Sequence, residues 1–342
     1  MNFDPVRRRS LGLLFALPLV AAARRGAAQA ARVVPIIDAH AHPTRSSRNL
    51  NDGVRTALAL MDQLGAKMTI LSPPPFPESE RGMYGNSDLR DVARAHAGRF
   101  AFTAGGESLN PMIQQIAPDR ITPDILSRFQ REAEGIAQSG AAGFGEIAAE
   151  HFSNRMGRHP YESSPPDHPL FLALADISAK YGMPIELHME AVPQDMPFPP
   201  ARSGPPNPAT LKENISAFER LLDHNSKARI VWLHAGWDLS GERTVKLMRS
   251  LLERHANLFM SVKSDHSGVR LNAPFLTDGS VKPAWIAMLR ALPDRFVIGS
   301  DQFFDEAPER LERARKLVDG LPADLAPLVA SGNVSRIYRL AA

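Results

Sequence analysis

Eight short apolar runs, evenly spaced and separated by amphipathic stretches, constrain this chain more than any other feature. The runs are Val34–Asp38, Met68–Ser72, Phe100–Ala104, Gly143–Ile147, Pro184–His188, Ile230–His234, Leu258–Val262 and Phe296–Ser300. Their length and content suit buried strands. Between them lie stretches apolar at i, i+3 and i+4, among them Val54–Leu64, Asp124–Ala137, Pro169–Tyr181, Leu211–Leu222 and Arg243–Arg254. That is the period of a helix with one buried face. Strand–helix alternation builds a parallel sheet, because parallel neighbours need a crossover. From His42 to Asp301 the chain covers 259 residues in seven intervals, about 37 per unit, which suits a (β/α)8 barrel. The expectation is one (β/α)8 TIM barrel over residues 31–342, with extra C-terminal helices closing it. An open doubly wound sheet is disfavoured, since no G-x-G-x-x-G falls between a strand and a helix.

The first run leads into Asp38-Ala39-His40-Ala41-His42. Side chains alternate faces along a strand, so His40 and His42 point the same way and can share one ion. The chain has no cysteine, which excludes disulfides and thiolate sites. A metal would be held by His, Asp and Glu, favouring zinc, manganese or iron. Four further polar residues fall at the ends of other runs: Glu146, His188, His234 and Asp301. In a barrel the C-terminal strand ends form one face, so these converge on His40 and His42. A single such residue would be a satisfied structural group; several in register point to a shared site.

These motifs resemble the amidohydrolase superfamily, and within it the amidohydrolase-2 branch that includes decarboxylases of the aminocarboxymuconate-semialdehyde type. The likeness is carried by Asp38-Ala39-His40-Ala41-His42, Gly145-Glu146, His188, Leu233-His234-Ala235-Gly236 and Gly299-Ser300-Asp301. The closing segment Gly332-Asn333-Val334-Ser335-Arg336-Ile337-Tyr338 is also similar to that branch. The resemblance implies that His40, His42 and Asp301 hold a first divalent metal, zinc being favoured, with His188 a further ligand. It implies that His234 binds a second ion or hydrogen-bonds water and substrate, and that Asp301 is the general base. Glu146 either bridges two ions or orients a ligand histidine.

Loops after the strands offer substrate contacts. Lys263 or Arg45 could clamp a carboxylate. Further candidates are Trp237 after the sixth run, Asp265 and His266 after the seventh, and Glu150 and His151 after the fourth. His96, His224 and His255 fall in or beside helical patterns and read as structural, and Asp167 reads as the N-cap of the helix beginning near Pro169. His159 sits with Asp167 and His168 around a Pro-rich turn. The loop Val192 to Ala209 carries seven prolines and is a candidate lid or pocket wall.

Residues 1–30 read as a cleavable export signal. Arg7-Arg8-Arg9 precedes the apolar run Leu11 to Ala23, and Ala28-Gln29-Ala30 matches an A-x-A cleavage pattern. The thirteen residues of that run fall short of the roughly 20 a membrane span needs. Arg8-Arg9-Ser10-Leu11 resembles the twin-arginine signal, although Gly12 sits where a bulkier residue is usual. The mature protein is therefore expected to be periplasmic or secreted, free of the membrane.

The first thirty residues carry a net charge of +4, leaving −1 for residues 31–342. The barrel thus offers no broad basic surface for nucleic acid. The leading expectation is a metal-dependent hydrolase using metal-activated water on a C–N or C–O bond of a small molecule: an amide, cyclic amide, ester or lactone. Export suits scavenging by hydrolysis. The same site could instead decarboxylate an unsaturated or aromatic acid. Gly145-Glu146-Ile147 also resembles TatD-type nucleases, against which the near-neutral charge argues. A non-catalytic metal- or ligand-binding barrel would need neither Asp301 nor His234. A homo-oligomer is left open.

Overall fold

In the computed structural model, which describes residues 33–45, 49–75, 84–153, 160–266, 268 and 270–340, parallel pairing passes unbroken through eight strands. They are β1 (Ile36–His42), β2 (Ala66–Leu71), β3 (Phe100–Gly105), β4 (Gly143–His151), β5 (Pro184–Met189), β6 (Arg229–Ala235), β7 (Leu258–Val262) and β8 (Phe296–Ile298), each paired with the next. Just past β8, Gln302–Phe303 pairs with β1 through Ala41↔Gln302 and His42↔Phe303. There Asp301 N–H also donates to the His40 carbonyl at 2.8 Å. This pairing closes the circle, so the sheet is the expected (β/α)8 barrel. The export signal expected over residues 1–30, and His159, lie outside the described residues.

Helices alternate with the strands: α1 (Leu50–Leu64), α2 (Asn86–Ala95), α3 (Leu109–Gln115), α4 (Pro123–Gln138), α5 (Pro169–Tyr181), α6 (Ile215–His224), α7 (Val245–Arg254), α8 (Pro283–Ala291), α9 (Glu309–Asp319) and α10 (Asn333–Ile337). Among the described residues no helix is long and apolar enough to cross a membrane. Their buried faces pack on the outward residues of the strands, as where Phe218 of α6 meets Trp232 of β6 with ring centroids 5.0 Å apart.

The starts of three helices show how the structure departs from the sequence expectation. Leu211 is not helical: Thr210–Leu211 pairs antiparallel with Met196–Pro197, so α6 begins at Ile215. Arg243 also precedes its helix, because the Thr244 hydroxyl caps α7 by accepting from Leu247 N–H at 3.1 Å. The cap of α5 is His168 rather than Asp167. Its Nδ1 accepts from Leu170 N–H at 3.1 Å, while Asp167 turns outward to Arg220 at 2.7 Å. The proline-rich loop is pinned down. Asn207 exchanges hydrogen bonds with the backbone of Ser153 at 2.8 and 3.0 Å, and Phe198 and Leu211 pack with Phe152, Val192 and Leu239.

Ile37, Ala39, Ile70, Val231, Leu233, Phe259 and Val297 form one buried cluster. They come from strands on opposite sides of the barrel, so this is its interior. Val334, Ile337 and Tyr338 join the cluster, and α10 therefore plugs the barrel beneath the strand ends. The register between β1 and β2 shifts between Asp38 and Ala41. Such a bulge re-aims side chains. Ile37 and Ala39 accordingly join the interior, while His40 and His42 turn to the next layer up.

Candidate functional site

β1 runs to His42 rather than stopping at Asp38, so both histidines of the pair sit on the strand itself. Around them the barrel gathers Glu146 from β4, His188 from β5, His234 from β6 and Asp301 just past β8, all buried. Three overlapping triads have donor atoms within 4.8 Å of one another: His40, His42 and Glu146; His40, His234 and Asp301; and Glu146, His188 and His234. Glu146 belongs to two of them. One carboxylate oxygen is 2.5 Å from His188 Nδ1, and the other is 3.6 Å from Nε2 of both His40 and His42.

Each imidazole of the β1 pair is held from behind. His40 Nδ1 faces Oε2 of Glu186 at 3.0 Å, and His42 Nδ1 faces the Ser72 carbonyl at 2.8 Å. Both partners are acceptors, so each Nδ1 carries the proton and each Nε2 is directed into the site. Among the described residues, Nε2 of His40 and Nε2 of His234 are buried with no hydrogen-bond partner. A buried imidazole nitrogen left unpaired is costly, and two of them among carboxylate oxygens are what a cation would satisfy. The donor set of four histidines and two carboxylates therefore fits a divalent ion.

The electrostatics agree. Burial works to lower His40, but Glu186 and Glu146 outweigh it and hold the imidazole well above its ordinary pKa. Burial works to raise Glu146, and His188, hydrogen-bonded to it, together with the nearby His40 brings it well below the usual carboxylate range. Asp301 is likewise held low: Lys263, Arg310 and His234 overcome its burial. His234 is pushed well below its ordinary value by burial and by Lys263, which keeps a lone pair available. A cation bound at His40 Nε2 would displace the extra proton there.

His234 and Asp301 share a backbone peculiarity, with φ of 66° and 55°. This left-handed region is sparsely occupied by residues other than glycine. Such strain persists where the surroundings over-determine it and clusters at functional sites. At both positions the turn comes at the strand end and aims the side chain across the barrel mouth.

The loop residues are placed more variously. Lys263 is buried, its ammonium 2.5 Å from Asp301 Oδ2 and 3.6 Å from the centre of the Trp237 ring. Trp237 also meets His234 edge-on, centroids 5.6 Å apart. Arg45 stacks at 3.9 Å on Phe303, which itself stacks on His42, and pairs with Glu306. His266 bonds to Arg313 at 3.0 Å. His151 packs on His188 with centroids 4.3 Å apart. Two groups in contact with the site were not singled out from sequence. Glu186 precedes His188 by two residues and so shares its face, a signal that strand alternation contains. Arg310, 3.1 Å from Asp301 Oδ2, sits in the first turn of α9 with no local pattern to mark it.

No family model and no curated protein matches the sequence. Solved structures do match in fold. The chain is similar to 2,6-dihydroxybenzoate decarboxylase from Rhizobium, with a TM-score of 0.53 and 15% identity over 89% of this chain and 98% of that one. It is similar to D-aminoacylase, an enzyme with a binuclear metal centre, with a TM-score of 0.54 and 14% identity over 90% and 75% of the two chains. A TatD homologue from Escherichia coli K12 aligns at a TM-score of 0.50 and 13% identity, over 90% and 100%. This chain shares their barrel fold. It is the fold that the resemblance to the amidohydrolase superfamily implied.

Proposed function

We propose that this protein is a divalent-metal hydrolase of small molecules whose site holds two ions sharing Glu146. The observation that carries the reading is the division of Glu146, one oxygen toward His188 and the other toward His40 and His42. His40, His42 and Asp301 would hold one ion, and His188 and His234 the other. A divalent ion there supplies Lewis acidity, polarising a carbonyl and bringing the pKa of water to about 7.

The chain's own groups do the rest. Oδ2 of Asp301 is taken by Lys263 and Arg310, so Oδ1, 3.1 Å from His42 Nε2, is the oxygen left to accept a proton within the site. His234 Nε2 lies 3.9 Å from that oxygen, its lone pair left for the ion it would hold beside the substrate. The pinned proline-rich loop contributes Phe198 to an apolar cluster on which Trp237 packs. Amides, cyclic amides, esters and lactones suit this arrangement.

Decarboxylation of an aromatic acid is the second reading, favoured by the fold match over 98% of 2,6-dihydroxybenzoate decarboxylase. Elemental analysis of the purified chain, followed by parallel screens of lactones and amides, of hydroxybenzoates for carbon dioxide release, and of DNA, tests the proposal. Two equivalents of metal and hydrolysis abolished by Asp301→Asn are expected. One equivalent with carbon dioxide release would transfer the assignment to the second reading. No stoichiometric metal, or activity unchanged in Asp301→Asn, would overturn both.

A further inference from the structure

Beneath the site lies a fully buried carboxylate that the proposed chemistry does not use. Glu186 Oε2 accepts from Ser72 Oγ at 2.8 Å, which in turn accepts from Thr103 Oγ1 at 2.7 Å, and Oε2 also faces His40 Nδ1 at 3.0 Å. Its other oxygen, Oε1, accepts from the hydroxyl of Tyr338 at 2.9 Å. All five side chains are buried. A carboxylate is tolerated in such a place only when donors satisfy it, and here His40, Ser72 and Tyr338 do. His40 comes from β1 and Ser72 from just past β2, while Tyr338 follows α10, which plugs the barrel interior.

We propose that Glu186 and Tyr338 are positioning residues for the metal ligand His40, so that the hydrogen bond from the Tyr338 hydroxyl to Glu186 sets part of the affinity of the site. Glu186 fixes which nitrogen of His40 carries the proton and makes the opposite nitrogen a better ligand. Tyr338 holds Oε1 and thereby keeps Oε2 aimed at His40. Room for the carboxylate is reserved by Gly145, where a Cβ would lie 2.6 Å from Glu186 Oε2. The inference rests on the metal reading above and adds to it the C-terminal residue that supports the ligand.

The test is a chelator-competition titration of the full-length protein with zinc and, separately, manganese ions. Glu186→Gln keeps the side-chain volume and removes the charge, and metal should bind about 10- to 100-fold more weakly. Tyr338→Phe removes one hydroxyl and should weaken binding by a smaller factor, about three- to tenfold. Asn333→Ala is the control. Asn333 anchors the same helix by donating to the Pro293 and Phe296 carbonyls at 2.8 Å and touches nothing in the relay. It should lower the metal-free unfolding midpoint while leaving affinity within twofold. If Glu186→Gln fails to fold, Tyr338→Phe against Asn333→Ala carries the test alone. Wild-type metal binding with Tyr338→Phe unchanged, or with Asn333→Ala equally weakened, overturns the relay and spares the metal site. Wild-type protein that binds no metal overturns both.

Discussion

Lys263 and Asp301 form a buried ion pair at the mouth of the barrel, ammonium to Oδ2 at 2.5 Å. Arg310 reaches the same oxygen at 3.1 Å. The two cations turn Asp301 into a divided group, one oxygen neutralised and the other left to the imidazoles. A substrate carboxylate would meet Lys263 only in competition with Asp301. Lys263 therefore does its first work inside the protein, fixing the rotamer of the residue proposed as proton acceptor.

Breaking that pair should be costly. Lys263→Met leaves Asp301 with Arg310 alone, and removing one partner of a buried pair costs about 3–5 kcal/mol when nothing compensates. The remaining guanidinium reduces this to about 2 kcal/mol. Urea unfolding of metal-free wild type, Lys263→Met, Asp301→Asn and the double variant should give a coupling of about 1–3 kcal/mol. Coupling below about 0.5 kcal/mol would show that the pair is not energetically linked.

Metal should stabilise the fold through the β1 pair. An ion present at about 1,000 times its dissociation constant adds about 4 kcal/mol to a protein that binds it only when folded. Wild-type protein should therefore melt at a clearly higher temperature with metal than after chelation. His40→Ala and His42→Ala should lose that increment while their metal-free circular-dichroism spectra stay native. A variant that unfolds outright yet keeps its metal content would contradict the ligand assignment.

Glu150 should give the stability a measurable pH slope. Burial pushes its carboxyl up to about 7, against the lowering by Tyr161 and Ser163, while an unfolded glutamate titrates near 4.5. Between those values the folded state binds more protons than the unfolded one, so stability falls as pH rises. The contribution is complete below about pH 4.5 and lost above about pH 7, and amounts to about 3 kcal/mol. Melting of Glu150→Gln beside wild type, at fixed metal concentration, should show the difference narrowing toward acid and growing through neutrality. Parallel curves would show that folding does not shift the Glu150 carboxyl.

The barrel and the six converging site residues were legible because their signals are local. Short apolar runs, an even spacing and polar residues at several strand ends can be read without tertiary knowledge. What sequence left hidden depends on distant partners. Glu186 shares a face with His188, but its meaning comes from Tyr338, 152 positions later. Arg310 matters because α9 starts beside Asp301, which nothing in its own segment announces. Leu211 continues an apolar helical pattern, yet it pairs with Met196 in a small hairpin that outcompetes the propensity of a short helical turn. Asp167 is the better capping residue type, but His168 sits where Leu170 N–H points.

Gly299 offers a test of how tightly the strand ends are fitted together. A Cβ at this position would lie 2.0 Å from Ser261 Oγ and 3.1 Å from the Cβ of His40. Gly299→Ala therefore forces the Ser261 hydroxyl aside and presses on a metal ligand, and overpacking of this kind costs about 1–3 kcal/mol. Ser261 Oγ is buried with no hydrogen-bond partner, so deleting it loses little. The pair Ser261→Ala and Gly299→Ala should then be non-additive, the double variant regaining most of the stability and metal affinity lost by Gly299→Ala alone. A double variant as weak as the single would place the obstruction at His40, 3.1 Å away, and metal affinity measured beside unfolding distinguishes the two, because only pressure on His40 lowers binding after the Ser261 clash is gone.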